Sequence, residues 1–78
     1  MTTSDPLRIA LERALTDFEV LPDALTDEAT LEDLGLDSLA VVELTDRLAT
    51  DLGRDLADDT LQPHMTLLHA VTALRSPR

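Results

Sequence analysis

One hydroxyl in this chain is placed where a group could be attached. Ser38 lies in the run Leu34-Gly35-Leu36-Asp37-Ser38-Leu39, where a loop gives way to an amphipathic pattern. A helix start offers unpaired N–H groups and a partial positive charge, which suit a phosphate ester. Taken by position alone, a serine there is most often an ordinary N-cap. It has no visible means of self-activation. A free hydroxyl is a weak nucleophile, there is no G-x-S-x-G elbow, and His64 and His69 belong to a later element. Those histidines are five apart, not the i,i+4 spacing that brings two metal ligands together, and they read as surface or boundary residues. A calcium loop begun at Asp51 would put Gly53 at position 3, Leu56 at position 6 and Gln62 at position 12, and so fails. Without cysteine there is neither a thiolate metal site nor a disulfide. No catalytic residue and no metal ligand is expected.

The elements that must present Ser38 are helices. Ser4-Asp5-Pro6 reads as a helix start, followed by Leu7, Leu11, Ala14, Leu15 and Phe18 on one face, with Pro22 closing the pattern. Residues 19–36 read as a long loop pinned by Val20, Leu21, Leu25, Leu31, Leu34 and Leu36, with Gly35 free to take a backbone conformation that other residues avoid. A second helix runs over about 37–52 and stops at Gly53. It has two apolar stripes: Val41, Leu44, Leu48 and Leu52 form one, and Leu39 and Val42 form another that begins beside Ser38. A surface helix has to bury only one. Residues 57–62 read as a short helix ended by Pro63. Thr66 caps a last helix with Leu67, Ala70, Val71 and Leu74 on one face. The expected fold is all-α: a small four-helix bundle, with main helices near 4–18, 37–52 and 66–75, a short one at 57–62, and a long loop between the first two.

Length and charge bound the function. Seventy-eight residues make one domain, taken as 1–78, whose core supplies about 3–5 kcal/mol of net stability. Sixteen acids against six arginines give a net charge of −10, which disfavours nucleic acid and anionic membrane surfaces and favours partners with basic patches. No stretch approaches a membrane span and no basic-then-apolar leader opens the chain, so a cytoplasmic, monomeric protein is expected.

The run 34–39, continued through Val41-Val42-Glu43-Leu44, resembles the attachment motif of acyl carrier proteins. The resemblance implies a 4′-phosphopantetheine arm on Ser38, donated from coenzyme A by a phosphopantetheinyl transferase and holding acyl groups as thioesters. It also implies a phosphodiester seated over the amides that open the second helix. Asp37 would both cap that helix and contact the transferase. Leu39, Val42, Glu43 and Asp46 would meet acyltransferase, ketosynthase and other synthase enzymes through their basic grooves. Ala40, Ala49 and Thr50 stand where fatty-acid carriers usually have acids, and Arg47 adds a positive charge, which favours polyketide or related specialised biosynthesis over fatty-acid synthesis. Two other readings use the same residues. One is a carrier of aminoacyl or peptidyl groups in a nonribosomal pathway, against which Asp37 weighs. The other is an unmodified acidic adaptor that binds one partner through Leu39 and Val42.

Overall fold

Asp5 starts the first helix. Its carboxylate accepts from the Leu7 N–H at 3.0 Å, and Pro6 supplies a preset φ where no donor is needed. The computed structural model describes residues 5–75, so the expectation for Ser4 lies outside the described residues. Helix α1, Pro6–Asp17, buries Leu11, Ala14 and Leu15, with Leu7 and Phe18 partly covered. It ends before Pro22 is reached. Glu19 takes a left-handed φ of 70° and the Val20 N–H reaches back to the Leu15 carbonyl at 3.1 Å, a closing loop usually built on glycine.

Helix α2 spans Ser38–Leu52 and α3 spans Leu67–Arg75. Gly53, at φ 65°, ends α2, and the Arg54 N–H bonds the Ala49 carbonyl at 3.0 Å. Thr66 caps α3 by accepting from the His69 N–H at 3.1 Å. The apolar faces of the three helices meet with α1 as the shared neighbour of α2 and α3. Val41, Leu44 and Leu48 of α2 enter the core, together with Leu67, Ala70, Val71 and Leu74 of α3. Thr45 is the polar member of that face. It is buried without penalty because its hydroxyl donates to the Val41 carbonyl at 2.9 Å.

The expected short helix at 57–62 is a single turn, closed by the Thr60 N–H on the Ala57 carbonyl at 3.0 Å. Pro63 permits no continuation, and only Leu61 of the segment reaches the core. The long loop instead holds a 3-10 turn at Pro22–Ala24. Val20, Leu31 and Leu36 anchor this loop in the core, with Leu25 and Leu34 packed against it. Leu21 does not, being 72% exposed. Thr30 and Thr66 form a lone antiparallel bridge, flanked by the Leu31 N–H on the Met65 carbonyl (3.0 Å) and the Leu67 N–H on the Ala29 carbonyl (2.9 Å). This seam fastens the loop before α2 to the turn before α3.

Arginines secure the remaining joints. Arg8 binds Glu12 and, across the fold, Asp27 (2.6 Å each) as well as the Leu25 carbonyl. Arg75 pairs with Asp5, and Arg54 donates to the Leu74 carbonyl. Arg47 joins Asp17 of α1 to Asp51 of its own helix. The charge that made α2 look unlike a fatty-acid carrier is therefore engaged in a tie between helices.

Candidate functional site

The approach to Ser38 is built by a tight reversal over residues 30–36. Thr30 and Asp33 cap each other, the Asp33 N–H on the Thr30 hydroxyl at 3.0 Å and the Thr30 N–H on the Asp33 carboxylate at 3.2 Å. Gly35 turns the chain at φ 93°, a left-handed conformation that a side chain resists. The Leu36 N–H then returns to the Leu31 carbonyl at 3.1 Å, which leaves Leu31 and Leu36 inside and delivers residues 37 and 38 to the surface.

Asp37, not Ser38, is the N-cap of α2. Its backbone is extended, its carboxylate accepts from the Ala40 N–H at 2.8 Å, and its carbonyl takes the Val41 N–H at 2.9 Å. Ser38 is consequently the first helical residue. Its side chain is exposed, and its hydroxyl makes no hydrogen bond among the described residues. A serine that capped the helix would have its oxygen committed to an amide; this one is free to be modified. With Ala40 satisfied by Asp37, the N–H groups of Ser38 and Leu39 are the first-turn donors without an acceptor among the described residues. The expectation that a phosphodiester on Ser38 would sit over the opening amides is accordingly narrowed to those two.

An open depression at the foot of the hydroxyl is lined by Glu32, Gly35, Leu36, Asp37, Ser38 and Pro63. A β-carbon on Gly35 would meet nothing within 4 Å beyond its chain neighbours, so the depression is open where Gly35 lines it. Glu32 and Pro63 were not singled out from the sequence. They come together because the Glu32 N–H donates to the Pro63 carbonyl at 2.9 Å, a contact 31 residues apart in the chain. The reciprocal Thr30/Asp33 cap lies within four residues, whereas nothing local marks Pro63 as a neighbour of Glu32.

The other predicted residues lie along the outside of α2. Leu39 is 67% exposed. Val42 is half-buried and is not among the residues packed against the core. Glu43 and Asp46 are exposed and form no ion pair among the described residues. Offsets of three, four and seven from Leu39 put all four on one helix face. Asp51, further along α2, is held by Arg47 at 3.1 Å. Leu68 on α3, 57% exposed, is an apolar surface residue that the sequence reading passed over. His64 and His69 are exposed and do not line the depression. Among the described residues there is no cluster of side chains able to hold a metal ion.

This arrangement presents an exposed hydroxyl at the head of α2. The residues fit a covalently attached phosphate ester: an exposed oxygen, a clear approach and two unpaired amides at a helix start. A model of the phosphopantetheine attachment site matches residues 8–74. The anthracycline acyl carrier proteins DpsG of Streptomyces peucetius and DauA of Streptomyces sp. (strain C5) are each 36% identical over 74 residues, covering 90% of this chain and 88% of theirs. The non-reducing polyketide synthase atr1 of Stereocaulon alpinum is 40% identical over 47 residues, 60% of this chain, and the chain spans 2% of that synthase. No solved structure matches. The chain belongs to the phosphopantetheine-attachment family and, within it, to the acyl carrier proteins.

Proposed function

We propose that this protein carries acyl intermediates of polyketide assembly on a 4′-phosphopantetheine arm joined to Ser38, and that it is not itself an enzyme. The observation that carries the reading is the division of labour at the start of α2. Asp37 caps the helix, so the neighbouring hydroxyl is left exposed and uncommitted. The phosphopantetheine group supplies the terminal thiol, which accounts for thioester work by a chain without cysteine. Ser38 offers the oxygen that forms the new P–O bond when the transferase cleaves the pyrophosphate of coenzyme A. In this reading its proton passes to a base of the transferase and adenosine 3′,5′-bisphosphate leaves; no histidine lines the site among the described residues, and the adjacent carboxylate, Asp37, is engaged with the Ala40 N–H. The relatives with anthracycline and polyketide names favour acyl cargo over aminoacyl cargo.

In this reading Leu39 and Val42 supply apolar contact and Glu43 and Asp46 supply charge to basic grooves on the transferase, acyltransferase and ketosynthase. Complementary fields speed encounters without demanding tight binding, which suits a protein that must visit several enzymes in turn. Action as a monomer in the cytoplasm belongs to the same reading, with residues 1–78 as one carrier domain. No helix among the described residues is long and apolar enough to cross a membrane.

The test is loading in vitro. Purified apo-protein incubated with a broad-specificity transferase, magnesium and coenzyme A should gain the mass of one phosphopantetheine, and Ser38→Ala should gain nothing. An unchanged intact mass, or a gain that survives Ser38→Ala, refutes the assignment.

A further inference from the structure

We propose that Glu32 is a positioning residue for the arm on Ser38, holding it out of the depression beside the hydroxyl and biasing it toward the Leu39–Val42 face of α2. The inference rests on the carrier reading above. Sterically, the depression is the obvious place for the first atoms of the arm to lie. It adjoins Ser38 directly, and it is open where the bare backbone of Gly35 lines it. Electrostatically it is the wrong place. A phosphodiester is anionic at neutral pH, and both ionisable side chains in the lining, Glu32 and Asp37, are carboxylates.

The two carboxylates differ. Asp37 is engaged with the Ala40 N–H and faces the positive end of α2, so its charge is partly offset. Glu32 is exposed and makes no side-chain hydrogen bond or ion pair among the described residues. The arginines are engaged or placed elsewhere: Arg47 is bound to Asp17 and Asp51, Arg8 to Glu12 and Asp27, Arg54 to the Leu74 carbonyl, and Arg13 lines a separate depression with Arg47. No arginine or histidine lines the depression among the described residues. On the opposite side the first turn of α2 holds no acid, and Leu39 offers exposed apolar surface. The nearest acid on that face, Glu43, is about 7.5 Å further along the axis than Ser38. Like charges sharing one wet depression repel by an amount comparable to thermal energy, which biases the arm about two- to threefold and weakens with salt.

The experiment loads wild type, Glu32→Gln and Glu32→Arg with a spin-labelled coenzyme A analogue and confirms each by intact mass. Paramagnetic relaxation of backbone amides is then read at low and at high salt. In wild type the enhancement at Leu39, Val42 and Glu43 should exceed that at Gly35 and His64. Glu32→Gln should raise the values at Gly35 and His64 about twofold and Glu32→Arg roughly fivefold, with both gains shrinking at high salt. Should Glu32→Arg disturb the turn, Glu32→Gln still decides the matter. A wild-type arm already broadening Gly35 and His64 as strongly as Leu39, or a pattern unmoved by both substitutions, overturns the role of Glu32 while leaving the carrier reading intact. Failure to gain mass overturns both.

Discussion

Leu39 and Leu44 stand five residues apart on the same helix, and truncating each to alanine separates folding from docking. Leu44 has no accessible surface and sits in the shared core of α1, α2 and α3. Leu44→Ala loses the transfer energy of the missing carbons and leaves a cavity that its neighbours close only in part, for a cost of about 2–5 kcal/mol. A domain of this size has about 3–5 kcal/mol in hand, so the substitution removes most of it. At ~4–8 °C per kcal/mol for a domain of 60–100 residues, the expected fall in Tm is roughly 8–40 °C. Leu39 is 67% exposed, and its truncation is a surface change worth at most about 0.5 kcal/mol, eased further by the helix propensity of alanine. Far-UV circular dichroism melts and urea titrations of the two variants give both numbers. Loading by the transferase, measured on the same samples, should slow for Leu39→Ala despite its unchanged Tm. A Leu39→Ala protein that melts as early as Leu44→Ala, or a Leu44→Ala protein within a few degrees of wild type, refutes the assignment of the two stripes.

Val42→Glu should retain helicity, since Val42 is half-buried and outside the packed core, while acyl transfer by at least one synthase enzyme falls; a large loss of Tm would show that its side chain is a core element. The Asp5–Arg75 contact joins the start of α1 to the end of α3, and the Arg75 hydrogen bond holds the Asp5 carboxyl below its ordinary value. A depressed folded-state value stabilises above the ordinary carboxylate range, near pH 4, and the benefit fades as pH falls through the folded value. Asp5→Asn keeps a competent N-cap but removes the charge. The Tm gap between wild type and Asp5→Asn should therefore be widest above about pH 5 and close on acidification. A gap that holds constant or widens in acid contradicts the linkage.

Much of the site was legible because its signals are local. Asp37 caps α2 and Gly35 takes the left-handed turn that its identity allows, both within four residues of Ser38. The same locality misled at residues 57–62. Ala57-Asp58-Asp59-Thr60-Leu61-Gln62 has the composition of a helical turn, yet only Leu61 has a buried partner and Pro63 blocks extension, so one turn is all that forms. Leu21 and Leu31 are the same residue type in the same loop, and no pattern told them apart. Leu31 is fully buried because the Thr30–Thr66 seam places it against the core, whereas Leu21 lies beyond any such seam and faces solvent.

The amino-acid order by itself determined the three main helices, the caps at Asp37, Gly53 and Thr66 and the serine at the head of α2, because periodicity and capping act between residues three or four apart. Tertiary structure alone decided that Arg47 is a strap between α1 and α2, that Glu32 and Pro63 share a wall beside Ser38, and that Leu39 stays outside while Leu31 goes in. Those outcomes depend on pairs of groups some 30 residues apart in the chain, and which distant partners meet is settled only when the helices pack.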